Sequence, residues 1–217
     1  MTPLKIKFLG QSGFLLQQES TNLLIDPRNK KAGNVSGDIV YVTHNHTDHT
    51  GGVKSFLKRN PEAKFICNEQ VASSFTKWPD RTIIATPGET IVQGEWKLKF
   101  IKGRHGLFSS VQNIGIIVQN EDISFGHAGD SVDFQGFGKK HVDVFAVPIG
   151  GIFTASPKRV LIELQDFDLP IPTIIPMHWL FRRPRKFCEK LRKSFPESKC
   201  VIPEANEFVE LDSKKAK

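Results

Sequence analysis

The sequence predicts an α/β protein in two similar halves, each opening with strands and closing on alternating helices and strands. Three observations lead there: the order of apolar runs along 217 residues, one strand apolar at almost every position, and a histidine cluster directly behind that strand. With 39% hydrophobic and 24% charged residues, the chain suits a single domain over 1–217. That length buries about 70% of the unfolded surface, enough for a core without staples.

Leu4, Ile6 and Phe8 alternate with Lys5 and Lys7, and Phe14–Leu16 and Leu23–Ile25 flank a polar turn at Glu19–Asn22, which is the pattern of a meander. Asp38–Thr43 is apolar at almost every position, so it belongs in the middle of a sheet, and it runs straight into His44. Val53–Arg59 and Glu69–Phe75 have helical spacing, with strands at Phe65–Cys67 and Thr82–Ala85 between and after them. Strands return at Leu98–Ile101, Ile114–Val118, Ile123–Phe125 and Val142–Val147, punctuated by Gly, Asn and Asp. Ser156-Pro157 opens a helix through Leu164, Ile171–Pro176 is a strand, and Pro184 opens a helix with Phe187, Leu191 and Phe195 on one stripe. Val201-Ile202 and Phe208-Val209 are candidate edge strands, and a Lys-rich tail closes the chain at Lys214–Lys217.

A net charge of +7 invites a nucleic-acid or anionic-lipid reading, but many lysines alternate with apolar residues, as in Trp96–Phe100, the signature of a half-solvated strand. Three cysteines without CxxC spacing, Cys67 among them in an apolar run, point to buried free thiols rather than disulfides or a thiolate site. The N-terminus lacks a leader-like apolar region and no stretch approaches a membrane span, so a cytoplasmic protein is expected.

His44-Asn-His-Thr-Asp-His49 packs three imidazoles and a carboxylate into six residues at a strand end. Composition alone yields such a hexapeptide about four times in ten thousand chains of this make-up. Imidazole nitrogens and carboxylate oxygens suit zinc and related first-row ions. Alternation turns His44 and His46 the same way, while Asp48 and His49 fall on the following turn and can face a second ion.

Thr43-His-Asn-His-Thr-Asp-His-Thr-Gly-Gly52 resembles the THxHxDHxGG signature of the metallo-β-lactamase superfamily, and the resemblance runs over nearly the whole chain. It implies an αββα sandwich of two mixed β-sheets flanked by helices. It also implies that His105 completes the first metal site, that Asp130 bridges two ions, and that His178 serves the second. Phe8–Leu16, Leu24–Pro27 and Val147–Gly151 are similar to the ascorbate 6-phosphate lactonase-like branch and its uncharacterised hydrolase relatives; Gln11 stands where that branch often has His. N-acylphosphatidylethanolamine phospholipase D is a related branch.

Asp26 resembles a carboxylate that orients a ligand from behind, although an Asp-Pro turn is as ordinary a reading. His127 and His141 match no ligand position. Gly150 and Gly151 could aim N–H groups at an oxyanion or simply form a tight turn. Residues 182–193 carry seven bases against one acid; Arg182, Arg183 and Arg185 are candidates for attracting substrate, the rest for a solvated helix face.

The expected function is a metal-dependent hydrolase with two divalent ions, zinc first and manganese, iron or nickel as alternatives. A metal-bridged hydroxide would attack a lactone, ester or phosphoester of a small anionic substrate, with Asp48 handling the transferred proton. The alternative is a phosphodiesterase or nuclease acting on phospholipid or nucleic acid. The nuclease reading lacks a visible inserted arm, and a diiron reductase is disfavoured by His46 where Glu is usual.

Overall fold

A computed structural model describes residues 4–18, 21–106, 110–121, 123–179 and 182–209. Glu19, Ser20 and the Lys-rich tail therefore lie outside the described residues. The first sheet runs in spatial order β14 (Phe208–Val209), β1 (Lys5–Gly10), β2 (Gly13–Gln18), β3 (Thr21–Ile25), β4 (Ile39–Val42), β5 (Lys64–Cys67), β6 (Thr82–Ile84). The second runs β13 (Lys199–Cys200), β12 (Thr173–Met177), β11 (Val144–Pro148), β10 (Ser124–His127), β9 (Gln112–Gln119), β8 (Trp96–Arg104), β7 (Thr90–Gln93). Each sheet has the same plan: an antiparallel set, then parallel strands from β3 to β6 and from β10 to β13. The two halves expected from the apolar pattern are thus two topological copies.

The helices are α1 (Thr47–Thr50), α2 (Val53–Arg59), α3 (Glu69–Ala72), α4 (Gln135–Gly138), α5 (Pro157–Gln165) and α6 (Pro184–Ser194). Burial sorts the layers. Alternate residues such as Phe8, Phe14, Tyr41, Trp96, Phe100 and Phe125 fill the space between the sheets. Val53, Phe56 and Leu57 of α2 cover the outer face of the first sheet. Val160 and Leu164 of α5, with Phe187 and Leu191 of α6, cover the outer face of the second. This is the αββα sandwich. Within β8, Trp96, Leu98 and Phe100 are buried and Lys97 is exposed, so those bases do lie on a strand's outer face.

Four differences from the sequence reading have local causes. Helix α3 ends at Ala72 rather than Phe75, although Phe75 stays buried; Asn68 caps it by accepting from Val71 N. The short α1, α4 and β7 carry too few apolar repeats to read. The edge strand falls at Lys199-Cys200 rather than Val201-Ile202, while Val201 N still donates to Ile174 O at 3.0 Å. Cys188 and Cys200 form a disulfide, which corrects the free-thiol expectation: α6 packs its Cys188 face on β13, with Cα atoms 5.4 Å apart. Cys67 alone is free, and burial pushes its thiol up to about 12. Among the described residues no helix is long and apolar enough to cross a membrane.

Candidate metal centre

The polar cluster sits where strands end. His44, His46, Asp48 and His49 follow β4, a strand buried at all four positions between parallel neighbours. His105, Asp130 and His178 follow β8, β10 and β12 of the opposite sheet. The two glycines after the hexapeptide explain its tight docking. A Cβ on Gly51 would lie 2.3 Å from Arg28 O, and one on Gly52 2.6 Å from Asn29 O, while Gly52 N donates to Pro27 O at 2.7 Å.

The side chains gather into two groups whose ligand-type atoms lie within 4.8 Å of one another: His44, His46, His105 and Asp130, then Asp48, His49 and His178. The carboxylate of Asp130 lies between them. Its Oδ2 is 3.8 Å from His44 Nε2, 4.0 Å from His105 Nε2 and 3.2 Å from His178 Nε2; its Oδ1 is 3.3 Å from His49 Nε2. His49 Nε2 and Asp130 Oδ1, 3.3 Å apart, are buried without a hydrogen-bond partner among the described residues. Buried polar atoms are rarely left so, and lone pairs converging without donors fit a divalent cation.

A second layer fixes which nitrogen each imidazole presents. Asp26, fully buried, accepts from Thr43 N (2.8 Å), Thr43 Oγ1 (2.7 Å) and His49 Nδ1 (2.7 Å). Ser12 Oγ adds a 3.3 Å contact to the same nitrogen. Thr43 has one hydroxyl proton and gives it to Asp26, so its oxygen must accept from His44 Nδ1 at 3.0 Å. Both imidazoles consequently turn Nε2 into the cluster. Asn113 receives Asp130 N at 3.1 Å and donates to Ala128 O, holding the loop in which Gly129 (φ +59°) has its would-be Cβ 2.3 Å from Asn113 Oδ1. Of the four non-glycine residues at positive φ among the described residues, three (Gln11, Asp26 and His178) belong to this site.

Electrostatics follow the geometry. Burial, reinforced by neighbouring imidazoles, holds His44 well below the usual histidine range; burial also lowers His105, against the pull of Asp130. For His49 burial acts downward too, but the carboxylates of Asp130 and Asp26 outweigh it and hold the ring well above that range. Burial works to raise Asp48 and Asp130, yet His178 and His49 overcome it, and both carboxyls are held low.

The remaining residues singled out from sequence separate clearly. Asp48 is the open member, its side chain 36% exposed against 3% for Asp130, and its Oδ2 accepts from Gln11 Nε2 (3.1 Å) and contacts His178 Nε2 (3.2 Å). Gly151 (φ +92°) uses its N–H on Thr154 Oγ1 at 3.3 Å, as a tight turn would. Gly150 O accepts from Arg182 Nε at 3.2 Å, which lays the Arg182 side chain on the turn beside His178. Arg183 and Arg185 are exposed at the start of α6, with no contact to the cluster among the described residues. His127 is a satisfied core histidine: Nε2 donates to Ser12 O (2.8 Å) and Nδ1 accepts from Gly129 N (3.1 Å). His141 is exposed beside Asp143. Sequence reasoning missed Ser12, Asn113 and the Gln11 contact; for Asn113, a polar residue inside the apolar run of β9 was the available signal.

The family described as the β-lactamase superfamily domain matches residues 5–178. The chain is similar to a UPF0173 metal-dependent hydrolase of Thermococcus kodakarensis, at 31% identity over 194 residues covering 81% of this chain and 84% of that protein. It is also similar to one of Nanoarchaeum equitans, at 32% over 188 residues with 81% and 84% covered. Among solved structures, Igni18, a metallo hydrolase from Ignicoccus hospitalis, superposes with a TM-score of 0.84 at 22% identity over 98% of this chain and 100% of that one.

Proposed function

Because the chain belongs to the β-lactamase superfamily, and within it to the UPF0173 metal-dependent hydrolases, we propose that it hydrolyses a small lactone, ester or phosphoester with two divalent ions, zinc foremost. The observation that carries the two-ion reading is the Asp130 carboxylate lying between two ligand groups, within 4.0 Å of His44, His49, His105 and His178. His44, His46 and His105 would hold one ion, Asp48, His49 and His178 the other, and Asp130 both. When bound, such a pair supplies a water acidified toward neutral pH and polarises the scissile carbonyl or phosphoryl oxygen.

The protein's own groups do the rest. Asp26 and Thr43 keep His49 and His44 in the tautomer with Nε2 inward. Asp48 is the acid–base group: it alone of the two carboxylates reaches solvent, and the Gln11 amide orients its Oδ2, through which a proton passes to the leaving oxygen. With Asp48 and Asp130 the only carboxylates named as ligands, two bound dications would leave a positive surplus there, which would favour an anionic substrate or developing oxyanion. Arg182, beside His178, extends that field.

The test is element analysis of purified protein followed by a panel of lactones, esters and phosphoesters on metal-reconstituted enzyme. Close to two ions per chain and metal-dependent turnover on one arm of the panel are expected. One tightly held ion in fully active enzyme would remove the two-ion reading, and turnover confined to RNA or DNA would replace the substrate class.

A further inference from the structure

Beyond the ligand cluster, a groove with a cavity volume of about 880 Å³ opens at His105 and runs between the edges of the two sheets. It exists because β6 is the last strand of its sheet and β8 loses its β7 partner beyond Lys99, so neither edge is covered there. Its apolar lining includes Ile84, Pro87, Val111 and Ile114. Ile84 is 40% exposed, one of few large apolar side chains on the surface, and it faces into a concavity rather than bulk solvent. The charges at the rim cancel. Lys102 and Arg104 are offset by Glu69 and Asp133, and Arg104 is already tied to Asp133 at 3.0 Å. A volume at the upper end of the usual range for small-molecule sites exceeds what a few-atom substrate needs, and apolar walls without surplus charge do not suit a second anionic group.

We propose that this groove binds an extended, uncharged apolar portion of the substrate, an alkyl or aryl acyl group, whose carbonyl stands at the His105 end. The inference rests on the hydrolase reading above and narrows its substrate class from any small ester to one with an apolar tail. Ile84 is then a specificity-determining residue, and the labile bond lies at the His105 end of the groove, His105 being the member of the ligand cluster that lines it.

Two measurements on the metal-loaded protein test it. Hydrolysis of an ester series from acetyl to decanoyl should show kcat/KM rising two- to fourfold per methylene until the groove is filled. Ile84→Lys should cut the decanoyl-to-acetyl ratio at least tenfold. Val92→Lys, at a site 73% exposed and away from the groove, should leave the series as it is. Calorimetric binding of butanoate, octanoate and decanoate reads the groove without turnover. Affinity should climb with chain length, with an increasingly negative heat-capacity change, and the climb should vanish in Ile84→Lys. If no ester is cleaved but the carboxylates still show that dependence, the ester reading fails and the groove stands. Affinities independent of chain length, or equally dependent in Ile84→Lys, overturn the groove. A flat series together with a self-association that Ile84→Lys abolishes would give the groove to a second copy of the chain and likewise overturn it.

Discussion

Replacing Asp26 should distinguish the two proposed ions. The carboxylate is fully buried and accepts three hydrogen bonds, two from Thr43 and one from His49 Nδ1. Asp26→Ala strands the Thr43 N–H and the His49 Nδ1–H, at about 1–3 kcal/mol each. It also puts Ala at φ +45°, for about 1 kcal/mol more, so the metal-free protein should lose about 3–7 kcal/mol. Asp26→Asn tolerates that backbone and keeps an acceptor for Thr43 N. Its NH₂ now faces His49 Nδ1, which must accept, and the imidazole proton moves to Nε2, the metal face. The ion held by Asp48, His49 and His178 should then bind about 10–100-fold more weakly, while the one at His44, His46 and His105 changes little, because Thr43 Oγ1 can still accept from His44. Zinc titration against a chromophoric chelator gives the two constants, and urea unfolding of metal-free protein gives the stability. Two unchanged constants, or two that fall equally, would refute the assignment of His49's tautomer to Asp26.

Asp130→Ala should lose at least one ion together with turnover, since it removes the carboxylate between both groups; full occupancy by element analysis would contradict this. Asp48→Asn should lower kcat about 100-fold or more with a much smaller change in KM, as expected of a group that moves a proton in the transition state; equal losses confined to KM would make it a binding residue. In non-reducing conditions the native protein should present no thiol to a disulfide reagent and the unfolded chain one, Cys67, rising to three after reduction; three thiols before reduction would remove the Cys188–Cys200 bridge.

The hexapeptide was legible because it has a local signal, three imidazoles and a carboxylate behind an apolar strand. His105, Asp130 and His178 came only from the family resemblance, and the structure shows each of them following another strand and gathered with the hexapeptide. The contacts that tune them could not be read. Gln11 meets Asp48 across 37 positions, and the meeting depends on Gln11 at φ +59° and on a backbone bond from His178 N to Gln11 O, neither of which has a periodic signature. The same holds for the disulfide, where an odd cysteine count says nothing about which α6 face lies on β13. Among the arginines, charge density made Arg182, Arg183 and Arg185 equivalent, whereas only Arg182 reaches back to Gly150 O. The groove between β6 and β8 is a product of where two sheet edges diverge, which no single strand encodes.

That the first sheet supplies His44, His46, Asp48 and His49 while the second supplies His105, Asp130 and His178 raises the question of what holds the halves in register before any cation binds. Four hydrogen bonds at the rim do so, and none involves a ligand atom. Tyr41 Oη donates to Ile114 O at 2.7 Å and Ile114 N to Thr43 O at 3.0 Å, tying β9 to the end of β4. His178 N donates to Gln11 O at 2.8 Å, and His127 Nε2 to Ser12 O at 2.8 Å, tying β12 and β10 to the β1–β2 turn. Burial lowers His127 below the usual histidine range, which keeps Nδ1 free of a proton and able to accept from Gly129 N, the residue before Asp130. His127, outside both ligand groups, thus helps to place the Asp130 carboxylate, and His49 Nε2 and Asp130 Oδ1, both without a hydrogen-bond partner among the described residues, are atoms a cation would satisfy. The cluster is preorganised by bonds internal to the protein, so metal binding there would cost little rearrangement, and its geometry follows from the packing of two like half-folds at their carboxyl ends.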